Sequence, residues 1–295
     1  MGPQSLKGYL VQDKIKDGSV GSVWRATNSR GQEFALKQIA LANAKSGSKL
    51  RQFKKEATLT RELQHPSIIK VFEYVDAPPQ PFFTMEYFES ENLKWAMAQM
   101  PERVHKHEFQ ILMAIADALA FVHTKGIVHK DIKPENVLIN AESEVRLIDF
   151  SLASTKWDRM LQFGRRVEGT PMYMAPEQIR GEKCDQRTDI YSFGVMMYEL
   201  MTKRPPFTAS DPQKMLEKHC DERPIPMSAI VPTVAPELDK LVLRLLAKNP
   251  DHRLPDMSSV MQELARWIQQ PTVLRLKQIR PGALQHGTEV ASSTL

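Results

Sequence analysis

The spacing of apolar residues changes about one third of the way along this 295-residue chain, and that change limits its choice of fold more than any other feature. Residues 9–40 form short strand-like runs separated by turn sequences such as Asn28-Ser29-Arg30-Gly31, which is typical of a ladder of β-hairpins. Residues 49–64 have the three-to-four spacing of an amphipathic helix, and strand-like runs return at 68–74 and 82–87. These patterns predict a small β-rich unit of about 85 residues that contains one helix.

The chain after Tyr87 has mainly helical patterns. An apolar stripe over residues 112–122 predicts a helix that stops at Gly126. Three further helices are predicted near residues 189–201, 236–247 and 258–268. We expect Pro236 in the first turn of its helix and Ser258 as the cap of the last one. The prediction is therefore an α+β fold of two unequal units.

The composition excludes several classes of protein. No stretch contains the roughly 18 uninterrupted apolar residues that a membrane span requires. The formal net charge of +5 is too small for a protein that coats nucleic acid. The two cysteines, Cys184 and Cys220, are too few for a disulfide framework and lack the spacing of zinc ligands. Because the N-terminus has no apolar core of signal-peptide length, we expect a cytoplasmic protein.

The most informative segment is His129-Lys130-Asp131-Ile132-Lys133-Pro134-Glu135-Asn136, which is followed by Asp149-Phe150-Ser151. These residues match the pattern H-x-D-x-K-x-x-N and then D-F-x. On them the chain resembles eukaryotic-type serine/threonine protein kinases, and bacterial ones most of all, over about residues 9–268. The resemblance implies the bilobal protein-kinase fold, with a β-rich N-lobe that carries one regulatory helix and a mainly helical C-lobe.

The same resemblance implies a division of the chain. We expect a kinase domain over residues 1–268 and a flexible C-terminal tail over 269–295. Within the domain, the N-lobe would span about 9–85, the hinge 86–92 and the C-lobe 93–268.

The resemblance also implies ATP as the phosphate donor and Mg²⁺, with Mn²⁺ as the alternative, as the metal. Phosphoryl transfer requires a protein to hold the phosphates, neutralise their charge and aim a hydroxyl. Asp131 would accept the proton of the substrate hydroxyl, and Lys133 would stabilise charge on the transferring phosphate. Asn136 and Asp149 offer the hard oxygen ligands that Mg²⁺ prefers. The apolar runs after Asn136 and before Asp149 predict short strands that hold the two ligands close together.

The stretch Ile15-Lys16-Asp17-Gly18-Ser19-Val20-Gly21-Ser22-Val23 resembles the glycine-rich loop that covers ATP. Gly18 and Gly21 would let the backbone approach phosphate, and Val23 would cover the adenine. The family has a glycine where this chain has Lys16. A hairpin turn with two glycines is the alternative interpretation of this stretch alone. A dinucleotide-binding fingerprint is disfavoured because strand-like sequence follows.

Lys37 and Glu56 lie at kinase spacing, Lys37 in the run Ala35-Leu36-Lys37 and Glu56 on the predicted amphipathic helix. The resemblance implies that Lys37 contacts the α- and β-phosphates and that Glu56 orients it through an ion pair. Met85 would be the gatekeeper, and the backbone of Glu86 and Phe88 would bind adenine. The apolar walls of the adenine pocket would be Ile15, Val23, Ala35 and Leu138.

Two later motifs belong to the helical unit. A segment that ends at Glu177 resembles the end of an activation segment, and its Glu is expected to pair with Arg253. Asp189 is expected to hold the backbone of the catalytic loop. Lys133 together with Thr170 is the serine/threonine version of the family pattern, so the expected partners are protein substrates with Ser or Thr acceptors.

Two further positions depart from the family pattern. Lys130 replaces an Arg that would bind a phosphorylated loop residue through two nitrogens, and Lys is poorly suited to that contact. Ser151 replaces a Gly that tolerates positive φ, which we expect to bias this segment toward one conformation. Residues 156–169 contain no Ser, Thr or Tyr. We hypothesise that activation does not depend on a phosphate in the middle of this loop, and strong control through Ser154 or Thr155 would contradict the hypothesis.

Two other functions remain open at this point. The three departures are compatible with a pseudokinase, a scaffold that binds nucleotide without transfer. A small-molecule phosphotransferase of related fold also uses an Asp, an Asn and a later Asp. Lys133 and the Ala175-Pro176-Glu177 segment favour a protein kinase over that second alternative.

The basic surplus of the chain lies in its first part. Residues 1–85 hold 13 Lys and Arg against 7 Asp and Glu. Part of this charge is a cluster on or just before the predicted amphipathic helix, at Lys45, Lys49, Arg51, Lys54 and Lys55. A solvated helix face explains such a cluster, and the alternative is a docking site for an acidic or phosphorylated regulator. We expect no nucleic acid among the partners and no membrane span in the chain.

Overall fold

The computed structural model describes residues 4–78, 80–155, 158 and 169–268. The strands of its first unit are β1 (Gln4–Leu6), β2 (Tyr9–Asp17), β3 (Gly21–Asn28), β4 (Glu33–Ile39), β5 (Val71–Val75) and β6 (Phe82–Glu86). They form one antiparallel sheet in the order β1-β2-β3-β4-β6-β5. The predicted hairpin ladder and the two later strands are therefore confirmed.

The turn between β3 and β4 is built by two residues that the sequence predicted for it. The side-chain oxygen of Asn28 accepts hydrogen bonds from the backbone N–H of Arg30 at 2.9 Å and of Gln32 at 3.1 Å. Gly31 has a φ of 76°, which an L side chain rarely adopts. The reversal of the chain therefore follows from the local sequence.

Two helices, α1 (Leu41–Ala44) and α2 (Gly47–Arg61), lie between β4 and β5. The helix α2 buries Phe53 and Ala57 against Val71 and Phe83 of the sheet. This packing explains the three-to-four spacing of its apolar residues, because one face of the helix covers one face of the sheet. The predicted amphipathic helix is confirmed, and Glu56 is one of its buried residues.

The helices of the second unit are α3 (Leu93–Gln99), α4 (Pro101–Thr124), α5 (Pro176–Ile179), α6 (Gln186–Thr202), α7 (Pro212–Asp221), α8 (Pro236–Leu245) and α9 (Met257–Ile268). The helix α4 packs against α6 and α9. Its predicted apolar stripe is buried in the largest hydrophobic core, and Gly126, with a φ of 70°, follows its end as predicted.

One of the two predicted helix starts is confirmed and the other is wrong. Pro236 is the first residue of α8. Ser258 lies inside α9, which begins at Met257. The side chain of Asp256 accepts a hydrogen bond from the backbone N–H of Ser259 at 2.7 Å. A carboxylate just before the first turn satisfies a free helix N–H, and this makes a serine cap unnecessary.

A second, small sheet lies where the two units meet. It consists of β7 (Glu91–Asn92), β8 (Val137–Ile139) and β9 (Val145–Leu147), all antiparallel. The backbone of Leu147 is hydrogen-bonded to Ile69 at 3.0 Å and to Ser67 at 2.8 Å. These bonds connect the first unit to the strand that leads into Asp149.

Among the residues described, no helix has the length and apolar content needed to cross a membrane. The expected tail, residues 269–295, lies outside the described residues. The division of residues 1–268 into lobes and a hinge stays a prediction.

Candidate active site

A cleft with a volume of about 670 Å³ lies between the sheet and the helical unit. It is lined by all fifteen residues that the sequence analysis assigned to catalysis, nucleotide binding or metal binding. They are Ile15, Gly18, Gly21, Val23, Ala35, Lys37, Glu56, Met85, Glu86, Phe88, Asp131, Lys133, Asn136, Leu138 and Asp149. These positions are spread over more than 130 residues of the chain, so their convergence is a property of the tertiary fold.

Lys37 and Glu56 form an ion pair on the sheet side of this cleft. Lys37 lies on β4, and its Nζ is 2.6 Å from Oε1 of Glu56 on α2. Burial works to lower the pKa of Lys37, but the carboxylates of Glu56 and Asp149 outweigh it and hold that pKa above its usual value. Lys37 therefore stays positively charged. Of the two carboxylates that act on it, Glu56 lies on the sheet side of the cleft and Asp149 on the opposite side.

Asp131 is held by three side chains on the helical side. Its Oδ2 is 2.7 Å from Lys133 Nζ and accepts a hydrogen bond from Asn136 Nδ2 at 2.9 Å. Its Oδ1 accepts a hydrogen bond from the Thr170 hydroxyl at 3.2 Å. Lys133 also donates to Thr170 Oγ1 at 2.6 Å. This network fixes the orientation of the Asp131 carboxylate before any substrate is bound.

The backbone of the loop before Asp131 is held by Asp189 of α6. The carboxylate of Asp189 accepts hydrogen bonds at 2.8 Å from the backbone N–H groups of His129 and Lys130. It also lies 2.8 Å from His123 Nε2. Burial works to raise the pKa of Asp189, but the hydrogen bond and charge of His123 bring it below its usual value. The expectation that Asp189 holds this loop is confirmed.

The same contacts explain an unusual backbone conformation. Lys130 has a φ of 69°, which non-glycine residues seldom adopt. Its N–H is bonded to Asp189, and its carbonyl oxygen accepts a hydrogen bond from Gln178 Nε2 at 3.0 Å. Fixed partners on both sides offset the cost of this conformation, which is of order 1–3 kcal/mol.

Asp149 has a φ of 66°, and Ser151 is not among the described residues with positive φ. The left-handed conformation therefore lies two residues before Ser151, and the expectation that Ser151 biases this segment toward one conformation stays a prediction. Burial works to raise the pKa of Asp149, but Lys37 and the hydrogen bond from Ser151 bring it below its usual value. Asp149 is therefore an ionised carboxylate facing a buried ammonium group.

Asn136 and Asp149 are suited to hold a divalent cation. The two strands between them pair, and the backbone N–H of Ile148 donates to the Asn136 carbonyl at 3.0 Å. Asn136 uses its amide nitrogen for Asp131, which leaves its amide oxygen for a metal ion. One carboxylate and one amide oxygen, completed by phosphate and water, match the preference of Mg²⁺. The donor chemistry of the cleft thus fits the expected metal.

Most of the chain matches one known protein family. The model of the protein kinase domain matches residues 9–266. The chain belongs to the protein kinase domain family. Protein kinases generally use ATP and Mg²⁺ and act on protein substrates.

Bacterial serine/threonine kinases are among the relatives of this protein kinase domain. A probable serine/threonine-protein kinase of Streptomyces coelicolor is 33% identical over 259 residues, which cover 85% of this chain and 38% of the relative. The serine/threonine-protein kinase PknB of Mycolicibacterium smegmatis is 33% identical over 90% of this chain and 44% of its own length. PknB of Mycobacterium tuberculosis is 33% identical over 88% of this chain and 42% of its own. The chain spans about two fifths of the length of these curated relatives.

Several residues of the kinase cleft were absent from the predicted site. Thr170 was noted only as a substrate-class signature, yet its hydroxyl contacts both Asp131 and Lys133. Tyr87 belongs to the predicted hinge but was given no binding role, and it also lines the cleft. The other lining residues that the sequence analysis missed include Gln52, Ile69 and Ile148.

The side chain of Glu86 has a structural role at the hinge. Its Oε1 accepts hydrogen bonds from the backbone N–H of Lys70 at 2.9 Å and from Arg146 Nε at 3.3 Å. The guanidinium group of Arg146 also lies 4.4 Å from the centre of the Phe88 ring. The predicted adenine contact uses the backbone of Glu86, so this role of the side chain does not compete with it.

Proposed function

We propose that this chain is an active serine/threonine protein kinase that transfers the γ-phosphate of ATP to Ser and Thr hydroxyls of proteins. The observation that carries the proposal is the orientation of Asp131 by Lys133, Asn136 and Thr170 in the cleft that also contains Lys37. In the reaction, the substrate oxygen forms a bond to the γ-phosphorus and the bond to the β-phosphate oxygen breaks. The hydroxyl proton passes to the Asp131 carboxylate, and ADP is released.

The charged residues of the cleft would bind different phosphates of the nucleotide. Lys37, held by Glu56, would contact the α- and β-phosphates, and Lys133 would stabilise charge on the transferred phosphate. Asn136 and Asp149 would hold Mg²⁺, or Mn²⁺ as the alternative. The metal would supply charge neutralisation at the β- and γ-phosphate oxygens.

The adenine would lie between the sheet and β8. Its apolar walls would be the side chains Ile15, Val23, Ala35 and Leu138, with Met85 at the back of the pocket. The backbone of Glu86 and Phe88 would bind its edge, and the loop with Gly18 and Gly21 would cover the phosphates. Lys16, which stands where the family has a glycine, also lines this cleft and would lie beside the bound nucleotide.

Two observations favour catalysis over the alternatives. A pseudokinase needs no oriented proton acceptor, whereas Asp131 has three side-chain partners in the folded chain. A small-molecule phosphotransferase needs no anchored segment for a polypeptide, whereas Glu177 ties the segment after Thr170 to Arg253. Protein substrates with Ser or Thr acceptors are therefore the proposed partners.

The test is transfer of radiolabel from γ-labelled ATP with Mg²⁺ to a generic basic protein. We expect Asp131→Asn to lower the rate by at least about 100-fold, because it removes the proton acceptor. Asp117→Asn is the matched control, since Asp117 is an exposed residue of α4 outside the cleft. Phosphoamino-acid analysis should find label on Ser and Thr. Label that is absent, or equal in the native and Asp131→Asn proteins, would contradict the proposal, and binding of a fluorescent ATP analogue without transfer would identify a pseudokinase.

A further inference from the structure

The glycine-containing loop of the cleft is hydrogen-bonded to a side chain that does not line the cleft. Asn43 lies on α1, and its Nδ2 donates to the carbonyl oxygens of Ser19 at 2.8 Å and of Val20 at 2.9 Å. Ser19 and Val20 stand between Gly18 and Gly21, and all four residues line the cleft. Asn43 is therefore bonded to the part of the chain that the sequence analysis assigned to the phosphates.

The side-chain amide of Asn43 can face the loop in only one way. Both loop groups are carbonyl oxygens, so only the nitrogen end of the amide can bond to them. The oxygen end, Oδ1, accepts a hydrogen bond from Nζ of Lys49, which belongs to the first turn of α2, at 2.9 Å. Asn43 is buried, and both ends of its amide have partners. Lys49 therefore fixes the orientation of the amide.

The turn that carries Asn43 is also bonded to the loop through its backbone. The N–H of Ala40 donates to the same Val20 carbonyl oxygen at 2.9 Å, and the N–H of Asn43 donates to the Ala40 carbonyl oxygen at 2.9 Å. The side chain of Val20 packs against the hydrophobic cluster that contains Ile39 and Phe53. These contacts hold the loop, the end of β4 and the start of α2 together.

The bonds to Asn43 determine where two N–H groups of the loop point. In a trans peptide group the N–H and the C=O point in opposite directions. Because the carbonyls of Ser19 and Val20 are directed at Asn43, the N–H groups of Val20 and Gly21 point away from it. Backbone N–H groups of such loops are the donors that hold phosphate oxygens. A loop that is ordered before the nucleotide arrives loses less conformational entropy on binding.

We propose that Asn43 is a positioning residue that holds residues 18–21 in the shape that binds the phosphates of ATP, and that Lys49 orients its amide. The inference rests on the nucleotide site of the proposed function. Asn43 acts on ATP through the loop, since it is not among the residues that line the cleft. Adenine is bound by the hinge and the apolar walls, so Asn43 should affect the binding of ATP and not that of adenosine.

The first experiment compares two ligands by calorimetry, a non-hydrolysable ATP analogue with Mg²⁺ and adenosine. We expect Asn43→Leu to weaken binding of the ATP analogue about 10-fold and to change adenosine binding less than about 2-fold, because only the phosphates contact the loop. Asn43→Asp should weaken ATP-analogue binding as much, since a carboxylate has the same shape but no hydrogen for the two carbonyls. Equal weakening for both ligands, or an unchanged affinity for the analogue, would overturn the proposal.

Variants of Lys49 test the orientation of the amide at an exposed position, where a substitution leaves the core intact. Lys49→Met removes the donor to Oδ1 of Asn43, and we expect it to weaken binding of the ATP analogue about 3-fold. Lys49→Arg keeps a donor and should restore the native affinity. The matched control is Lys45→Met, since Lys45 is an exposed lysine just after α1 and its loss removes the same charge. Equal affinities of the two Met variants would reject the role of Lys49.

A further experiment needs neither nucleotide nor catalysis. Hydrogen exchange of the ligand-free chain is followed by NMR at the Gly18 amide, which donates to the Gly21 carbonyl oxygen at 2.9 Å within the loop. We expect Asn43→Leu to speed this exchange at least about 5-fold, because the loop loses two of the bonds that order it. The Gly31 amide, bonded to Asn28 in the turn between β3 and β4, is the internal control and should not change. Exchange at Gly18 that is the same in both proteins would contradict the inference.

Transfer of label to the basic protein, counted in the same preparations, separates this inference from the kinase proposal. A native protein that transfers phosphate, together with an Asn43→Leu protein that binds the ATP analogue normally, would reject the role of Asn43 and leave the kinase function intact. A native protein that transfers no label, together with an Asn43→Leu protein that binds the ATP analogue more weakly and adenosine normally, would reject the kinase function and support the role of Asn43.

Discussion

Arg253 binds Glu177 through both ends of its guanidinium group. The distances are 2.7 Å from Nη1 to Oε1 and 2.8 Å from Nη2 to Oε2, and the two side chains are 0% and 2% exposed. Arg253 also donates to the carbonyl oxygens of Arg187 and Ala247 at 2.8 Å. Glu177 lies in the first turn of α5, whereas Arg253 lies just before α9. The pair therefore connects the end of the activation segment to the last part of the fold, as the sequence predicted.

Removal of one partner of this pair should destabilise the protein strongly. We expect Arg253→Met to lower the free energy of unfolding by about 3–5 kcal/mol, because Glu177 would remain buried without its counter-charge. The matched control is Arg266→Met, which removes the exposed pair with Glu263 and should cost no more than about 1 kcal/mol. Urea unfolding measures both. The double variant Glu177→Met/Arg253→Met should recover part of the loss, and equal stability of the two single variants would contradict this account.

The sequence predicted the groups of the active site because phosphoryl transfer restricts them to a few residue types at fixed spacings. It could not locate the backbone strain. The positive φ of Lys130 depends on Asp189, a residue about 60 positions away, whose carboxylate fixes the loop. Similarly, Asp149 adopts its positive φ just after β9, where the chain lines the cleft, and the replacement of Gly by Ser151 gave no sign of this. At Lys130, long-range hydrogen bonds override the local residue preference.

Thr170 illustrates the same limit for a side chain. Its motif marked the class of substrate, but its contact with Asp131 joins residues 39 positions apart through the tertiary fold. A cavity lined by basic residues of α2 is a further case. Its cations were recognised as a cluster on one helix, whereas Lys125 and Thr155 enter it only through packing.

Gly21 should tolerate a side chain less well than Gly18. A Cβ at Gly21 would overlap the carbonyl oxygen of Gln38 and lie 2.8 Å from the Cα of Ile39, both on the neighbouring strand β4. The nearest atom to a Cβ at Gly18 is the carbonyl oxygen of Gly21 at 3.3 Å. We expect Gly21→Ala to lower the free energy of unfolding by about 1–3 kcal/mol and to raise KM for ATP, with a smaller effect from Gly18→Ala. Thermal unfolding and steady-state kinetics test the ranking, and a Gly18→Ala variant that is the less stable of the two would refute it.

Thr170 should act on turnover through its hydroxyl. It donates to Asp131 Oδ1 and accepts from Lys133, so Thr170→Val removes both contacts while keeping the shape of the side chain. We expect kcat to fall about 10- to 100-fold with little change in KM for ATP, because the proton acceptor loses its orientation. Thr170→Ser retains the hydroxyl and should keep most of the activity. If the Val and Ser variants have the same kcat, the hydroxyl has no positioning role.

His219 should make the protein sensitive to acid. It is fully buried, its Nδ1 lies 2.9 Å from the Tyr191 hydroxyl, and its carbonyl oxygen accepts a hydrogen bond from Lys248 Nζ at 2.8 Å. Burial, aided by the charge of Lys248, lowers the pKa of His219 from 6.5 to about 4. The folded protein therefore keeps this imidazole neutral at pH values where the unfolded chain binds a proton.

The sign of the effect follows from this difference. Above pH 6.5 both states hold a neutral His219, so its contribution to stability is fully present, and it is lost as the pH falls from 6.5 to about 4. A difference of this size corresponds to about 3 kcal/mol in the free energy of unfolding. We expect His219→Asn to flatten the fall in stability between pH 6.5 and 4, as measured by urea unfolding at each pH. His252→Asn, at an exposed position, should leave the profile unchanged, and a native profile that survives in His219→Asn would assign the acid sensitivity to other groups.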